Sequence, residues 1–185
     1  MRLFVAIELT EEARQALQAV VDELRPRLAL RWAPAENWHL TLKFIGDWPA
    51  ERRGGIASAL RCVRADAAVP FVVEGLGVLP NMRSPRVFWA GLRHGKDLPG
   101  LAAGVEEALA ALGVERERRA LKPHITLGRV KTKIRPADLQ RAIDDYQIQF
   151  GSVTADRFAL FQSELRPGGA VYRKLEEFVF AEGNS

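Results

Sequence analysis

Cysteine is almost missing from this chain: Cys62 is the only one in 185 residues. One thiol cannot close an internal disulfide or found a cysteine-based metal site. Histidine is scarce too, with three: His39, His94 and His124. No apolar run approaches the roughly 20 residues that a membrane-spanning helix needs. The N-terminal stretch Met1-Arg-Leu-Phe-Val-Ala-Ile-Glu-Leu9 meets charge too soon for a secretory signal and reads as a strand that starts at once. Neither sign of charge dominates; the formal net charge of +4 leans mildly toward anionic partners without marking a dedicated DNA-binding protein. What is left is a globular chain with 48% apolar and 27% charged residues, expected to be a single cytoplasmic domain with no membrane contact. Cys62 falls in an apolar helical pattern with Ile56, Leu60 and Val63, which predicts a buried structural thiol.

Against this background one tetrapeptide occurs twice. His39-Leu-Thr-Leu42 lies in Trp38-His-Leu-Thr-Leu-Lys-Phe-Ile-Gly46, and His124-Ile-Thr-Leu127 lies in Lys122-Pro-His-Ile-Thr-Leu-Gly-Arg-Val-Lys131. Side chains alternate along a strand, so His and Thr two residues apart share one face while the apolar residues turn to the core. Each copy aims an imidazole and a hydroxyl at the same space.

The frame around the motifs also repeats. Leu3 to Ile7 is a buried strand, and Thr10 caps a helix that carries Ala13, Leu17, Val20, Val21 and Leu24 to a stop at Pro26. Leu30 to Ala33 is a brief extended piece, and the first motif strand runs from about Trp38 to Ile45. Gly46 and Pro49 open a second helix, weakened by Gly54-Gly55. Phe71–Leu79 and Arg86–Leu92 make a hairpin. A helix from Leu98 to Leu112 with a stop at Gly113, the second motif strand from Leu121 to Val130, a helix opened by Pro136, a strand at Phe158–Phe161 and a returning strand from Ala170 to Ala181 follow. His94 is expected in an exposed loop. Phe4-Val-Ala matches Phe88-Trp-Ala at nearly the same distance before each motif. This is a diverged internal duplication. The expected fold is α+β: two pseudo-symmetric lobes, approximately 1–85 and 86–185, with strands exchanged between them and antiparallel sheets around a central cleft. Helices pack outside. A pseudo-twofold axis would make the two motifs neighbours, and it would supply within one chain, expected to be a monomer, the pairing that a dimer otherwise provides.

Two histidines near pH 7 can divide acid and base between them, one neutral and accepting a proton, the other charged and giving one. Breaking a phosphodiester with water needs both acts, and two threonine hydroxyls can hold the non-bridging oxygens. The two motif strands hold two histidines and no Asp or Glu, which does not complete a zinc site, so no metal and no cofactor is expected. Lys43, Arg129 and Lys131 are candidate substrate contacts or a solvated basic rim. Arg129 has odd spacing from His124 and reaches the site only if the strand ends or bulges at Gly128. On an ideal strand Phe44 faces away from His39, into the core; stacking on a base would need a local twist. Trp38, Trp48, Phe161 and Tyr172 are expected in packing roles.

These residues resemble the 2H phosphoesterases, named for paired His-x-Thr-x motifs, and within them the RNA 2′,3′-cyclic phosphodiesterases, also called 2′-5′ RNA ligase-like proteins. The resemblance covers nearly the whole chain, including Arg2–Ile7, Trp38–Gly46, Gly75–Pro80, Lys122–Arg129 and Phe158–Leu165. It implies hydrolysis of an RNA 2′,3′-cyclic phosphate end to a 2′-phosphate end, with the reverse joining to a 5′-hydroxyl as a second activity. It implies His39 as proton donor, His124 as acceptor, and Thr41 and Thr126 on the phosphate. The symmetry of the motifs alone leaves the order of the two histidines open. Two other readings stand beside this one: a phosphodiesterase for another small cyclic or 2′-5′-linked nucleotide, and an RNA-end-binding module without catalysis.

Overall fold

The computed structural model describes residues 1–65, 68–117, 122–167 and 169–180. Leu121 and Ala181, the ends of two strands as read from the sequence, lie outside the described residues. The elements in order are β1 (Arg2–Glu8), α1 (Glu11–Leu24), β2 (Leu30–Trp32), β3 (His39–Asp47), α2 (Arg53–Arg61), β4 (Val69–Leu79), β5 (Val87–His94), α3 (Asp97–Ala110), β6 (His124–Val130), α4 (Pro136–Asp145), β7 (Gln149–Ala155), β8 (Arg157–Arg166) and β9 (Gly169–Val179).

The strands form one antiparallel sheet in the order β7-β4-β5-β6-β3-β1-β8-β9, with β2 beside β6. The order is symmetric about the joint between β6 and β3, where Leu40 pairs with Ile125. Each repeat gives its last strand away. β4, which follows α2, pairs with β5, and β8, which follows α4, pairs with β1. One face of this sheet lies under the helices. Leu17, Val21 and Leu24 of α1, Ile56 and Leu60 of α2, Val105 and Leu109 of α3 and Leu139 of α4 pack with Leu40, Leu42, Phe88, Ile125 and Leu127 in one core. Each such side chain contributes about 1.5–3 kcal/mol by leaving water. Leu17 is fully buried, and Leu17→Ala would cost about 2–5 kcal/mol.

α1 starts where its sequence says: the Thr10 hydroxyl accepts from Ala13 N at 3.3 Å, and Glu11 and Glu12 fill the first turn, where the helix dipole favours negative charge. β1 is apolar without alternation because both of its faces are covered. Leu3, Val5 and Ile7 join the main core, whereas Phe4 and Ala6 form a second, smaller cluster with Ala159 and Phe161 on the opposite face.

Four sequence expectations are corrected. Cys62 is exposed; it caps the end of α2, and its thiol donates to Ser58 O, off the apolar stripe of Ile56 and Leu60. His94 is the last residue of β5, paired with Phe71, and not part of a loop. β7 has no counterpart among the strands expected from the sequence, because Gly151, at φ 151, interrupts the alternation of Phe150, Val153 and Ala155. The match of Phe4 to Phe88 is off by one: Ile7 pairs with Leu40 where Ala90 pairs with Ile125, so Phe4 is equivalent to Val87. A slip of one turns every side chain to the other face, and Phe88 is accordingly in the helix-side core while Phe4 is on the open side.

Candidate active site

The face of the sheet away from the helices carries both motifs. Leu40 and Ile125 are fully buried under the helices, so their neighbours in the strands point the other way. Continuing the register of the Leu40–Ile125 pair by one residue each way sets His39 beside Thr126 and Thr41 beside His124. The four polar side chains meet on the open face at the joint of the two repeats.

Both imidazoles are oriented by the same device. His39 Nδ1–H donates to the carbonyl of Asn37 at 2.7 Å, and His124 Nδ1–H donates to the carbonyl of Lys122 at 2.7 Å. A carbonyl can only accept, so Nδ1 carries the proton in each neutral ring and Nε2 is the free base. Asn37 is itself held, because its amide donates to Ala170 O of β9 at 2.8 Å. Asn37 escapes the sequence reading; its position two residues before a motif histidine, shared by Lys122, is the available signal.

The surroundings of the two rings differ. His39 stacks on Phe4 with centroids 4.8 Å apart, and Tyr172 meets it edge-on at 5.3 Å. Thr41 donates its hydroxyl to His39 Nε2 at 3.0 Å. Removal of the ring from water lowers its pKa from 6.5 to about 4; the Asn37 carbonyl opposes the shift, and His124 and Arg14 add to it. Glu8 is the cross-strand partner of His39, but its carboxylate is engaged by Lys174. On the other side, Trp89 lies near His124 at 6.4 Å. Its indole lies flat over Gly77 and Gly91, where an added Cβ would come within 2.4 Å and 2.8 Å of the ring. Beside it opens a cavity of about 530 Å³ lined by Glu74, Leu76, Trp89, Pro123, Gln147 and Gln149. Tyr172, Phe4 and Trp89 are therefore part of the site surroundings.

A bulge decides the remaining candidates, and both motifs have it. The register of β3 on β1 shifts between Val5–Lys43 and Ala6–Thr41, and that of β6 on β5 shifts between Phe88–Gly128 and Trp89–Thr126. One extra residue in each motif strand inverts the alternation beyond it. Phe44 therefore stands on the histidine face, 69% exposed and 6.3 Å from Phe4, and not in the core. Arg129, the equivalent residue, reaches the same face through the bulge at Gly128 and lies near enough to Tyr172 to act on its phenol. Lys43 is the correction in the other direction. The bulge turns it under the sheet, where it is 6% exposed, pairs with Glu106 at 2.9 Å and donates to Glu115 O at 2.7 Å. It is a neutralised core cation and not a substrate contact. Lys131 is exposed just beyond the end of β6. Trp38 is in the helix-side core. Among the described residues no three His, Cys, Asp or Glu side chains are grouped as a metal would require, and no helix is long and apolar enough to cross a membrane.

Comparison with known proteins assigns the chain to a family. The family described as LigT like Phosphoesterase matches the chain twice, over residues 7–89 and 94–172, one match for each motif. A protein of Thermotoga maritima named RNA 2′,3′-cyclic phosphodiesterase is 35% identical over 185 residues, 99% of this chain and 97% of its own. One of Archaeoglobus fulgidus with the same name is 36% identical over 181 residues, 96% of this chain and 99% of its own. The crystal structure of TT0787 of Thermus thermophilus superposes with a TM-score of 0.83 at 31% identity over 100% of both chains. With a match to each half and relatives similar from end to end, the chain belongs to the LigT-like phosphoesterase family.

Proposed function

We propose that the protein hydrolyses RNA 2′,3′-cyclic phosphate ends to 2′-phosphate ends, with His39 and His124 as its acid and base. The observation that carries this reading is the shared orientation of the two rings. Each Nδ1 is tied to a carbonyl two residues earlier, which makes each Nε2 the proton-accepting nitrogen, and that of His39 holds the Thr41 hydroxyl in the free protein. The names of the relatives from Thermotoga maritima and Archaeoglobus fulgidus support the same substrate.

His124 Nε2 takes a proton from water as its oxygen bonds to phosphorus. The P–O3′ bond breaks on the opposite side, and His39 Nε2 gives its proton to O3′. Thr41 and Thr126 donate to the non-bridging oxygens. After release, solvent returns the proton from His124 to His39. The low pKa of His39 fits the donor's part in a specific way. A histidine that holds its proton weakly is a strong acid once charged, and an anionic phosphate beside it favours the charged form. Substrate therefore brings the acid into being. Joining a cyclic phosphate to a 5′-hydroxyl uses the same groups, with the hydroxyl in the place of water.

The test is incubation with a short RNA ending in a 2′,3′-cyclic phosphate. The expected product carries a 2′-phosphate, the pH–rate profile is bell-shaped, and EDTA leaves the rate unchanged. Tight binding without turnover would sink the catalytic reading in favour of an end-binding module. Turnover of other cyclic or 2′-5′-linked nucleotides alone would sink the choice of substrate.

A further inference from the structure

The half of the site around His124 has more room than hydrolysis uses. In the mechanism above O3′ leaves toward His39, so the nucleoside of the cyclic end lies on that half. The attacking oxygen comes from the half of His124. A water molecule occupies only about 30 Å³. The cavity beside Trp89 holds about 530 Å³, which is the size of a site for a small organic ligand. It opens on the histidine face. Trp89 is the direct partner of Thr126, Gly91 is that of His124, and Pro123, also in the cavity wall, precedes His124. Beside His39 the corresponding space is closed by Phe161 and Tyr172.

The walls say what kind of group fits. Trp89 lies flat on Gly77 and Gly91, which fixes the ring, and it remains partly exposed. Gln147 is held at the rim, its Nε2 donating to Ile143 O at 2.7 Å and to Leu76 O at 3.3 Å. Its Oε1 lies over Gly75, 2.9 Å from where a Cβ there would be, and among the described residues no donor is bonded to it. An amide oxygen so placed accepts from a base amino group. The Glu74 carboxylate is taken by Arg93 at 3.1 Å. Among the described residues that line the cavity there is no Lys, Arg or His. The space therefore suits the flat, neutral part of a nucleotide and not its phosphate. The rings of Trp89 and His124 are 6.4 Å apart, so a base on Trp89 is separated from His124 by little more than a ribose.

We propose that this cavity is the acceptor site of the joining reaction: it seats the base of a second nucleoside, stacked on Trp89, whose 5′-hydroxyl attacks in place of water. The inference rests on the functional reading above. O5′ bonds to phosphorus as its proton passes to His124 Nε2, and the P–O3′ bond breaks as His39 Nε2 gives its proton to O3′. The product is a 2′-5′ diester with a free 3′-hydroxyl. Base stacking on an aromatic ring tolerates any sequence, so the site accepts RNA ends in general, and Gln147 favours a base with an amino group.

The test lets three nucleophiles compete for one substrate, a short RNA with a 5′-phosphate and a 2′,3′-cyclic phosphate end. Water, methanol and adenosine give the 2′-phosphate, the methyl diester and the 2′-5′ adenosine diester. All three use the same phosphate and the same histidines, and only adenosine has a base to seat. With wild-type protein the adenosine product saturates as adenosine is raised, whereas the methyl product rises linearly with methanol. Trp89→Ala lowers the ratio of adenosine to methyl product about tenfold, within the range that loss of one base–aromatic stack gives, and Trp89→Phe restores part of it. A wild-type protein that hydrolyses the cyclic end but forms no adenosine product, or forms it without saturation, overturns this inference alone. So does a ratio that Trp89→Ala leaves unchanged. A wild-type protein that forms none of the three products overturns the functional reading and this inference with it.

Discussion

His39 and His124 stand in the same motif, on equivalent strands, oriented by the same hydrogen bond to a carbonyl two residues back, yet one is enclosed and the other open. Beside His39 the face is filled by Phe4, Phe161 and Tyr172. Beside His124 the equivalent surface holds Trp89 over two glycines and a cavity of about 530 Å³. Duplication gives two copies of one group; divergence of the packing around them makes the copies chemically unlike.

The inequality can be broken from several directions. The largest effect is expected from the rings themselves. His39→Ala and His124→Ala should each lower kcat by about 10²–10⁴-fold while leaving the fold intact, measured on an RNA ending in a 2′,3′-cyclic phosphate. If either variant stays folded and keeps near-wild-type turnover, the division of labour fails. Next comes the enclosure. Phe4→Ala should cost about 3–5 kcal/mol of stability by chemical denaturation, and it should raise the His39 pKa from about 4 by admitting water. No change at Trp89 should do the same to His39, because Trp89 lies beside the other ring.

The same low pKa makes stability depend on pH. Between pH 4 and 6.5 the unfolded His39 holds a proton that the folded one has lost, so stability should rise with pH through this window and level off above it. The rise attributable to His39 is about 3 kcal/mol, and it should vanish in His39→Gln when unfolding is followed across the range. The smallest effect belongs to the hydroxyls. Thr41→Ala and Thr126→Ala should each slow turnover about tenfold, the effect of one hydrogen bond. Thr41→Ala should also shift the His39 titration, since Thr41 is the motif threonine that is bonded to its ring.

Much of this was legible from the residues. The two motifs, the helix cap at Thr10, the Pro136 start of α4 and the repeat of the elements are local signals, and local signals survive folding. What could not be read depends on register. Alternation alone sends Lys43 to the histidine face and Phe44 to the core, and a bulge that nothing in the apolar pattern marks reverses both. In β6 the same bulge could be suspected because Gly128 is there. In β3 the equivalent residue is Lys43, a long charged side chain whose inward turn makes sense only with Glu106 beside it. The slip that matched Phe4 with Phe88 has the same origin. The aromatic enclosure of His39 was illegible for another reason: Phe4, Phe161 and Tyr172 are far apart in sequence and come together only because β8 crosses to pair with β1.

The most direct test of the inequality between the two rings is a ¹⁵N NMR titration of the imidazoles in the free protein. His39 is predicted to remain neutral, protonated on Nδ1 alone, until the pH falls to about 4. A His39 that titrates at or above 6.5 would contradict the account, because packing would then not have set the two histidines apart.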